Sequence, residues 1–437
     1  MEILIKVVQF FLCFTLLVGI HEWGHFISAR IFKIRVDKFY IFFDPWFSIF
    51  KFKRGDTEYG LGWLPLGGYC KIAGMIDESM DKEQMAQPAQ PDEFRSKPAW
   101  QRLIVMLAGV ALNLVLAIAI YIGVSYTWGD KYFANEDAKW GYSFSEVGHD
   151  LGFEDGDKFI SIGGEQVDNV DKIATMLILA DSDREVVVQR DGVNATITIP
   201  LEKLVALRKD KGYQDLFELR MPFIVDSIAR ASASALMRGD EAVAVNGESM
   251  VEYRDYRAAF ATAKGDTLTL SVLRSGEVVD VRVPVDGDGL IGVGVISPYE
   301  LRTQKYTLLE SIPAGFRKAG STVSSYWDQL RLIVQPKTKM YEELGGFVAI
   351  GSMFSGMWNW YDFWLKTAFL SIVLAVMNVL PIPGLDGGHA LFTAWEIITG
   401  RKPCDKFLET AQYIGMILLF GLLIYANGND FYRLLFK

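Results

Sequence analysis

The run from Leu103 to Ile122, LIVMLAGVALNLVLAIAIYI, restricts this chain more than any other feature, because its only strongly polar side chain is Asn113. An apolar run of about 20 residues matches a hydrocarbon core of roughly 30 Å, and lipid offers no partners to open backbone, so a membrane-spanning helix is predicted. A second run covers Ala411 to Ala426 and extends toward Phe407, and a third covers Thr367 to Leu380 and ends at Asn378 and Pro381. The N-terminal run from Ile3 to Ile20 is interrupted only by Lys6, Gln9 and Thr15. No small-residue cleavage site follows it, only His21-Glu22-Trp23-Gly24-His25, which predicts a retained first span rather than a signal peptide. A composition 51% hydrophobic and 22% charged excludes a disordered chain. The net charge of -9 leaves no basic surface for phosphates, so no nucleic-acid partner is expected. Cys13, Cys70 and Cys404 are too scattered for a disulfide framework or a cysteine-based zinc site.

Lys and Arg residues orient the spans. Arg30, Lys33, Arg35 and Lys38 follow the first, Arg95, Lys97 and Arg102 precede the second, and Arg401, Lys402 and Lys406 lie between the third and fourth. The positive-inside rule makes those two loops cytoplasmic and puts the long stretch from Gly129 to Asp362 outside. That stretch carries 25 Lys and Arg against 36 Asp and Glu, and contains no cysteine.

The outer stretch repeats itself. Gly156-Asp157 recurs as Gly239-Asp240 and Ile162-Gly163-Gly164 as Val245-Asn246-Gly247; Arg190-Asp191-Gly192 recurs as Arg274-Ser275-Gly276 and Pro200 as Pro284. Two homologous modules follow, each with a Gly-Asp turn before a short strand and a final pair of alternating strands around a tight turn. The pattern resembles PDZ domains, which bind extended peptides at a sheet edge and so imply docking or gating rather than chemistry.

Chemistry is concentrated in His21-Glu22-Trp23-Gly24-His25, an H-E-x-x-H run. On a helix, imidazoles four residues apart share one face and can hold one zinc, with Glu22 beside them as a general base for a water acidified by the metal. The chain has only four histidines, and two fall in this window, so an accidental match is rare. A carboxylate near a span centre costs about 2.5–3.5 kcal/mol on insertion scales, which argues against a packing role for Glu22. A catalytic zinc takes a third protein ligand. In the later segment Asn378-Val-Leu-Pro381-Ile-Pro383-Gly-Leu385-Asp386-Gly387-Gly388-His389, Asp386 and His389 are the two plausible donors.

These two segments together resemble the site-2 protease family of intramembrane zinc metalloproteases, whose signatures are HExxH and NxxPxPxLDG. The resemblance implies Asp386 as the third ligand and a substrate or oxyanion contact for Asn378. Two PDZ-like modules between the second and third spans narrow it to the RseP-type branch. Pro65-Leu66-Gly67-Gly68-Tyr69, within the alternating segment Val36 to Ala73, resembles the PLGGY stretch of a membrane-associated β-hairpin whose edge pairs with unwound substrate, implying substrate contacts for Gly67, Gly68 and Tyr69. The chain departs from the family at Phe42-Phe43-Asp44-Pro45, where glycines are common, at Val110, where a proline is expected, and at Gly345-Gly346-Phe347.

The expected architecture is an α-helical membrane protein of four transmembrane helices with a membrane-associated β-hairpin and two inserted α+β modules. Residues 1–128 hold the first two spans, 129–214 and 215–300 the modules, 301–362 a juxtamembrane helical segment and 363–437 the last two spans. The implied function is zinc-dependent endoproteolysis, within the lipid bilayer of a bacterial inner membrane, of single-span proteins such as anti-sigma factors or signal-peptide remnants. An upstream first-site protease would act first, and the modules would be periplasmic. Two rivals use the same residues differently: a zinc transporter or sensor, and an inactive scaffold working through its PDZ-like modules.

Overall fold

The structure is a computed structural model that describes residues 2–64, 67–75, 88–209, 213, 215–229, 233 and 235–436. Pro65 and Leu66 of the PLGGY stretch therefore lie outside the described residues. The chain divides into two compact units: residues 1–129, 305–334 and 340–437, and residues 130–304 with 335–339.

Among the described residues, the first unit contains four helices long and apolar enough to cross a membrane: α1 (Glu2–Ile31), α2 (Ala99–Trp128), α6 (Trp360–Val379) and α8 (Asp405–Phe436). Each apolar run in the sequence falls in one of them, except that Leu380 lies one residue beyond the end of α6. Their outward faces are apolar: Ile414, Ile417, Phe420 and Ile424 of α8 are all more than half exposed, a surface suited to lipid rather than water. The segment 301–362 contains α5 (Leu308–Ile333), started by a Thr307–Glu310 capping box. Ala319 of α5 is buried against Ala117 and Tyr121 of α2 and Ile372 of α6. α7 (Asp386–Thr399) follows α6 after a short break.

Between α1 and α2 lie β1 (Val36–Ile41), β2 (Phe43–Arg54), β3 (Thr57–Leu64) and β4 (Tyr69–Ile72), in the spatial order β2-β3-β1-β4. The expected hairpin is present as β2 and β3, but it is half of a four-stranded sheet. β3 inserts beside β1 and runs parallel to it, while β4 closes antiparallel on the other side of β1 and leaves an edge. Alternating polarity reports strands but carries no register or order, which is why the pairing was not legible. Phe42 and Trp46 adopt φ of 70° and 75°, a conformation that costs bulky residues about 1–3 kcal/mol each. The departure from the glycine-rich family pattern is thus a real backbone cost, met by the local bonds described below.

In the second unit, the strands of the first module, β6 (Lys158–Ile162), β7 (Glu165–Gln166), β8 (Arg184–Arg190) and β9 (Val193–Ile199), are ordered β9-β8-β6-β7. Those of the second, β10 (Glu241–Val245), β11 (Glu248–Ser249), β12 (Thr267–Arg274) and β13 (Glu277–Pro284), are ordered β13-β12-β10-β11, the same arrangement. Each module places a helix after its second strand, α3 (Val170–Ile178) and α4 (Tyr253–Thr262), and each has its own apolar core. The entering strand β5 (Asp130–Tyr132) pairs with the leaving strand β14 (Arg302–Gln304).

The repeat has a physical cause. Asp157 and Asp240, each 1% exposed, take paired bonds from an arginine on the neighbouring strand: Arg190 Nε and Nη2 at 2.8 and 2.7 Å, and Arg274 Nε and Nη2 at 2.8 and 2.6 Å. Each carboxylate also accepts a backbone N–H three residues earlier, from Glu154 at 2.9 Å and Met237 at 2.8 Å. The Arg274 hydrogen bonds hold the Asp240 carboxyl below its ordinary range, so this stabilisation is complete above about pH 4 and is lost as pH falls through the depressed value. Arg274→Ala, which strands a buried carboxylate, is expected to speed proteolytic nicking of the second module in the intact chain roughly tenfold or more at pH 7 and to flatten its acid sensitivity. Peptide mapping of the nicked protein between pH 3 and 7 checks both.

Candidate metal centre

His21, Glu22 and His25 lie on one face of α1, with the two imidazoles 8% and 6% exposed. Their Nε2 atoms are 3.3 Å apart, and Asp386 Oδ2 lies 3.2 Å from His21 Nε2 and 3.3 Å from His25 Nε2. These are the edge lengths of a tetrahedron with ligands about 2.0 Å from its centre, the distance at which zinc takes nitrogen and oxygen donors. Asp386 Oδ2 is buried and has no hydrogen-bond partner, a cost that a cation between the three atoms removes. Among the described residues, His21, His25 and Asp386 form the cluster able to hold a metal ion.

Asp386 reaches the imidazoles because helix α6 stops. Pro381 and Pro383 cannot continue it, Gly384 turns the chain at φ 99°, and Asp386 is the first residue of α7. The fold-back is tight: a Cβ on Gly387 would lie 2.2 Å from Leu380 O and one on Gly388 2.5 Å from Ile382 O. The glycines after the aspartate are therefore steric necessities.

Partners from α2 orient both imidazoles. His25 Nδ1 is 2.9 Å from the Val105 carbonyl, to which it donates, leaving Nε2 with its lone pair inward. His21 Nδ1 is 3.3 Å from the Asn113 side-chain amide, whose oxygen accepts from Nδ1–H when turned toward the ring. Asn113 is fully buried, and its backbone carbonyl accepts from Ser371 Oγ at 2.7 Å. The helices approach closely through two glycines: a Cβ on Gly24 would sit 2.5 Å from Ala108 O, and one on Gly109 2.5 Å from His25 Nε2.

All eight residues expected at the site, His21, Glu22, His25, Gly67, Gly68, Tyr69, Asn378 and Asp386, line one cavity of 580 Å³ in this unit. The Glu22 carboxylate accepts a hydrogen bond from the Cys70 backbone N–H of β4. Asn378 Nδ2 is 3.4 Å from His21 Nε2. His389 lines the cavity one turn further along α7, outside the three-atom cluster. Sequence reasoning missed the orienting groups, Asn113 and the Val105 carbonyl, and also Gln412 of α8, buried at the cavity wall. Asn113 did carry a signal, as the one strongly polar residue of an otherwise apolar span.

The model of peptidase family M50 matches residues 9–422. The chain belongs to peptidase family M50. It is a membrane-embedded zinc metalloprotease by that membership and its four apolar helices. A Clostridium perfringens protein named as a candidate zinc metalloprotease is 27% identical, with 96% of each chain covered. The Haemophilus influenzae regulator of sigma E protease is 27% identical, with 98% of each chain covered. The Yersinia pestis protease RseP is also 27% identical, covering 99% of this chain and 100% of its own.

Loss of an orienting partner weakens metal binding by about 10–100-fold. Asn113→Ala is expected to do so here, and Asn113→Asp, which keeps an acceptor oxygen, much less. Competition of this M50 protein with a chromophoric chelator measures both.

Proposed function

We propose that this M50 protein is an intramembrane endopeptidase that cuts single-span membrane proteins after a first-site protease has trimmed their outer domain. The observation that carries the reading is Glu22 beside three convergent donor atoms, in a cavity walled by helices that face lipid. His21, His25 and Asp386 hold the zinc, which when bound supplies a Lewis acid and an acidified water. Glu22 takes the proton of the attacking water and passes it to the departing amide nitrogen as the C–N bond breaks. Asn378 donates its amide N–H to the oxygen that gains negative charge, and the Cys70 N–H holds Glu22 in place.

A helix hides its peptide bonds, so the substrate must unwind. The edge of β4, with Gly67, Gly68 and Tyr69 at the cavity, offers backbone groups to an extended segment. Trp46, Phe47 and Phe50 of β2 are 90%, 59% and 60% exposed, which supports a sheet dipping into the membrane. The two repeated modules act as PDZ-like docking or size-filtering elements, periplasmic in a bacterial inner membrane, a reading supported by their shared strand order and by the charge asymmetry of the loops. Relatives named for sigma E regulation make anti-sigma-factor-like proteins, alongside signal-peptide remnants, the first substrates to try.

Glu22→Gln is expected to lower cleavage of a pre-trimmed single-span substrate by about 10²–10⁴-fold while one zinc per chain remains. Asp386→Ala should lose both activity and metal. A Glu22→Gln protein that cleaves normally, or a wild type that binds zinc yet cleaves no trimmed substrate, points instead to transport or sensing. Deleting both modules without changing the preference for trimmed over intact substrates would refute their filtering role.

A further inference from the structure

The β2 strand contains a distortion that the catalytic account leaves unused. Its pairing with β3 breaks register between Phe43 and Ser48 and again before Phe50, and Phe42 and Trp46 sit in left-handed backbone conformations. Asp44 lies at the centre of the distortion. Its Oδ2 accepts from Ser48 Oγ at 2.9 Å, and its Oδ1 accepts from the Tyr69 hydroxyl at 2.9 Å, while Trp63 Nε1 donates to the adjacent Pro45 carbonyl at 2.8 Å. The first of these bonds folds the bulge on itself. The second reaches across the sheet to the first residue of β4.

Tyr69 is held from two directions. Its ring stacks on Tyr40 at 5.2 Å and 7°, and the Tyr40 hydroxyl donates to Glu58 Oε1 at 2.8 Å. Burial, and then the hydrogen bond to Asp44, raise the Tyr69 phenol well above its ordinary range, so it stays a donor at any working pH. The residues on either side of Tyr69 meet the catalytic helix. Cys70 N–H bonds Glu22, and Gly68 is packed so closely that a Cβ would lie 2.7 Å from Tyr40 O and 3.3 Å from Glu22 Cγ. Asp44 does not line the cavity, whereas its neighbour Phe43 and its partner Tyr69 do.

We infer that Asp44 is a positioning residue: acting through Tyr69, it fixes the edge strand that must both receive an unwound substrate and support Glu22. This rests on the substrate-pairing role of β4 proposed above. A bulge held by an acid does for this chain what a flexible glycine turn cannot, since a carboxylate with two hydroxyl donors fixes the position of Tyr69. A substrate that is already extended needs the preset edge less than a stable helix does.

The test uses the full-length protein in nanodiscs with two single-span substrates, one with an unbroken helix and one with a Gly-Pro pair at the cleavage region. Asp44→Ala and Tyr69→Phe should each lower kcat on the helical substrate about tenfold and on the broken one by no more than about threefold. Asp44→Asn, which keeps an acceptor for Tyr69, should restore most of the loss. The Asp44→Ala/Tyr69→Phe double variant should be no worse than the poorer single variant. Zinc content should stay at wild-type level. Equal losses on both substrates, additive losses, or unchanged kcat would overturn the inference. Hydrogen exchange supplies a readout independent of cleavage: in Asp44→Ala the amides of Gly68 to Ile72 should exchange about tenfold faster, with the α1 amides unchanged. Unchanged exchange in β4 would overturn the inference by itself. A wild type that cleaves neither substrate would defeat the protease reading while the exchange result still judged the role of Asp44.

Discussion

The site depends on one interruption of a membrane helix. Between Val379 and Asp386 the chain leaves the helical hydrogen-bond ladder for short turn bonds such as Leu385 N–H to the Ile382 carbonyl, an expensive act at membrane depth, and it does so through two prolines and a left-handed glycine. The return is a carboxylate placed 3.2–3.3 Å from two imidazoles that are some 360 residues away in sequence. Much of the surrounding structure serves that placement. Gly387 and Gly388 let the break close on itself, and Gly24 and Gly109 let α1 and α2 approach until α2 can orient both rings. In α8, a Cβ on Gly415 would lie 1.6 Å from Pro383 O, so the last span can cover the break only through a glycine.

The parts of this arrangement that were legible in the sequence are those written along one element. Four apolar runs marked four spanning helices, and the i, i+4 histidines fixed one face of α1 without reference to any neighbour. The third donor was narrowed by residues to Asp386 or His389, and the family resemblance favoured Asp386; the three-atom cluster contains Asp386. What was illegible is what depends on two elements meeting. Nothing in the α2 sequence says that Asn113 faces His21 or that the Val105 carbonyl faces His25, because helical periodicity gives a face but not its partner. The insertion of β3 beside β1 is hidden for the same reason: alternation fixes which side chains share a face and leaves strand order open.

The two repeated modules show the opposite case, in which a repeat in sequence reports a repeated interaction. The paired Gly-Asp and Arg-x-Gly segments recur because each module closes its sheet by the same Asp–Arg clamp, Asp157 to Arg190 and Asp240 to Arg274. The turns after each arginine share left-handed geometry at Asp191-Gly192 and Ser275-Gly276. One difference between the modules was not legible: the first adds a helix, Leu201–Lys209, that buries Leu204 and Leu207 in its own core.

The central claim is that two imidazole nitrogens and one carboxylate oxygen of this chain hold a single zinc. X-ray absorption spectroscopy at the zinc edge of the purified full-length protein measures that donor set directly. The account predicts one zinc per chain with only nitrogen and oxygen neighbours at about 2.0 Å, imidazole scattering from two rings, and loss of one ring's signal in His25→Ala. A sulfur neighbour near 2.3 Å, or a donor set unchanged by His25→Ala, would contradict it.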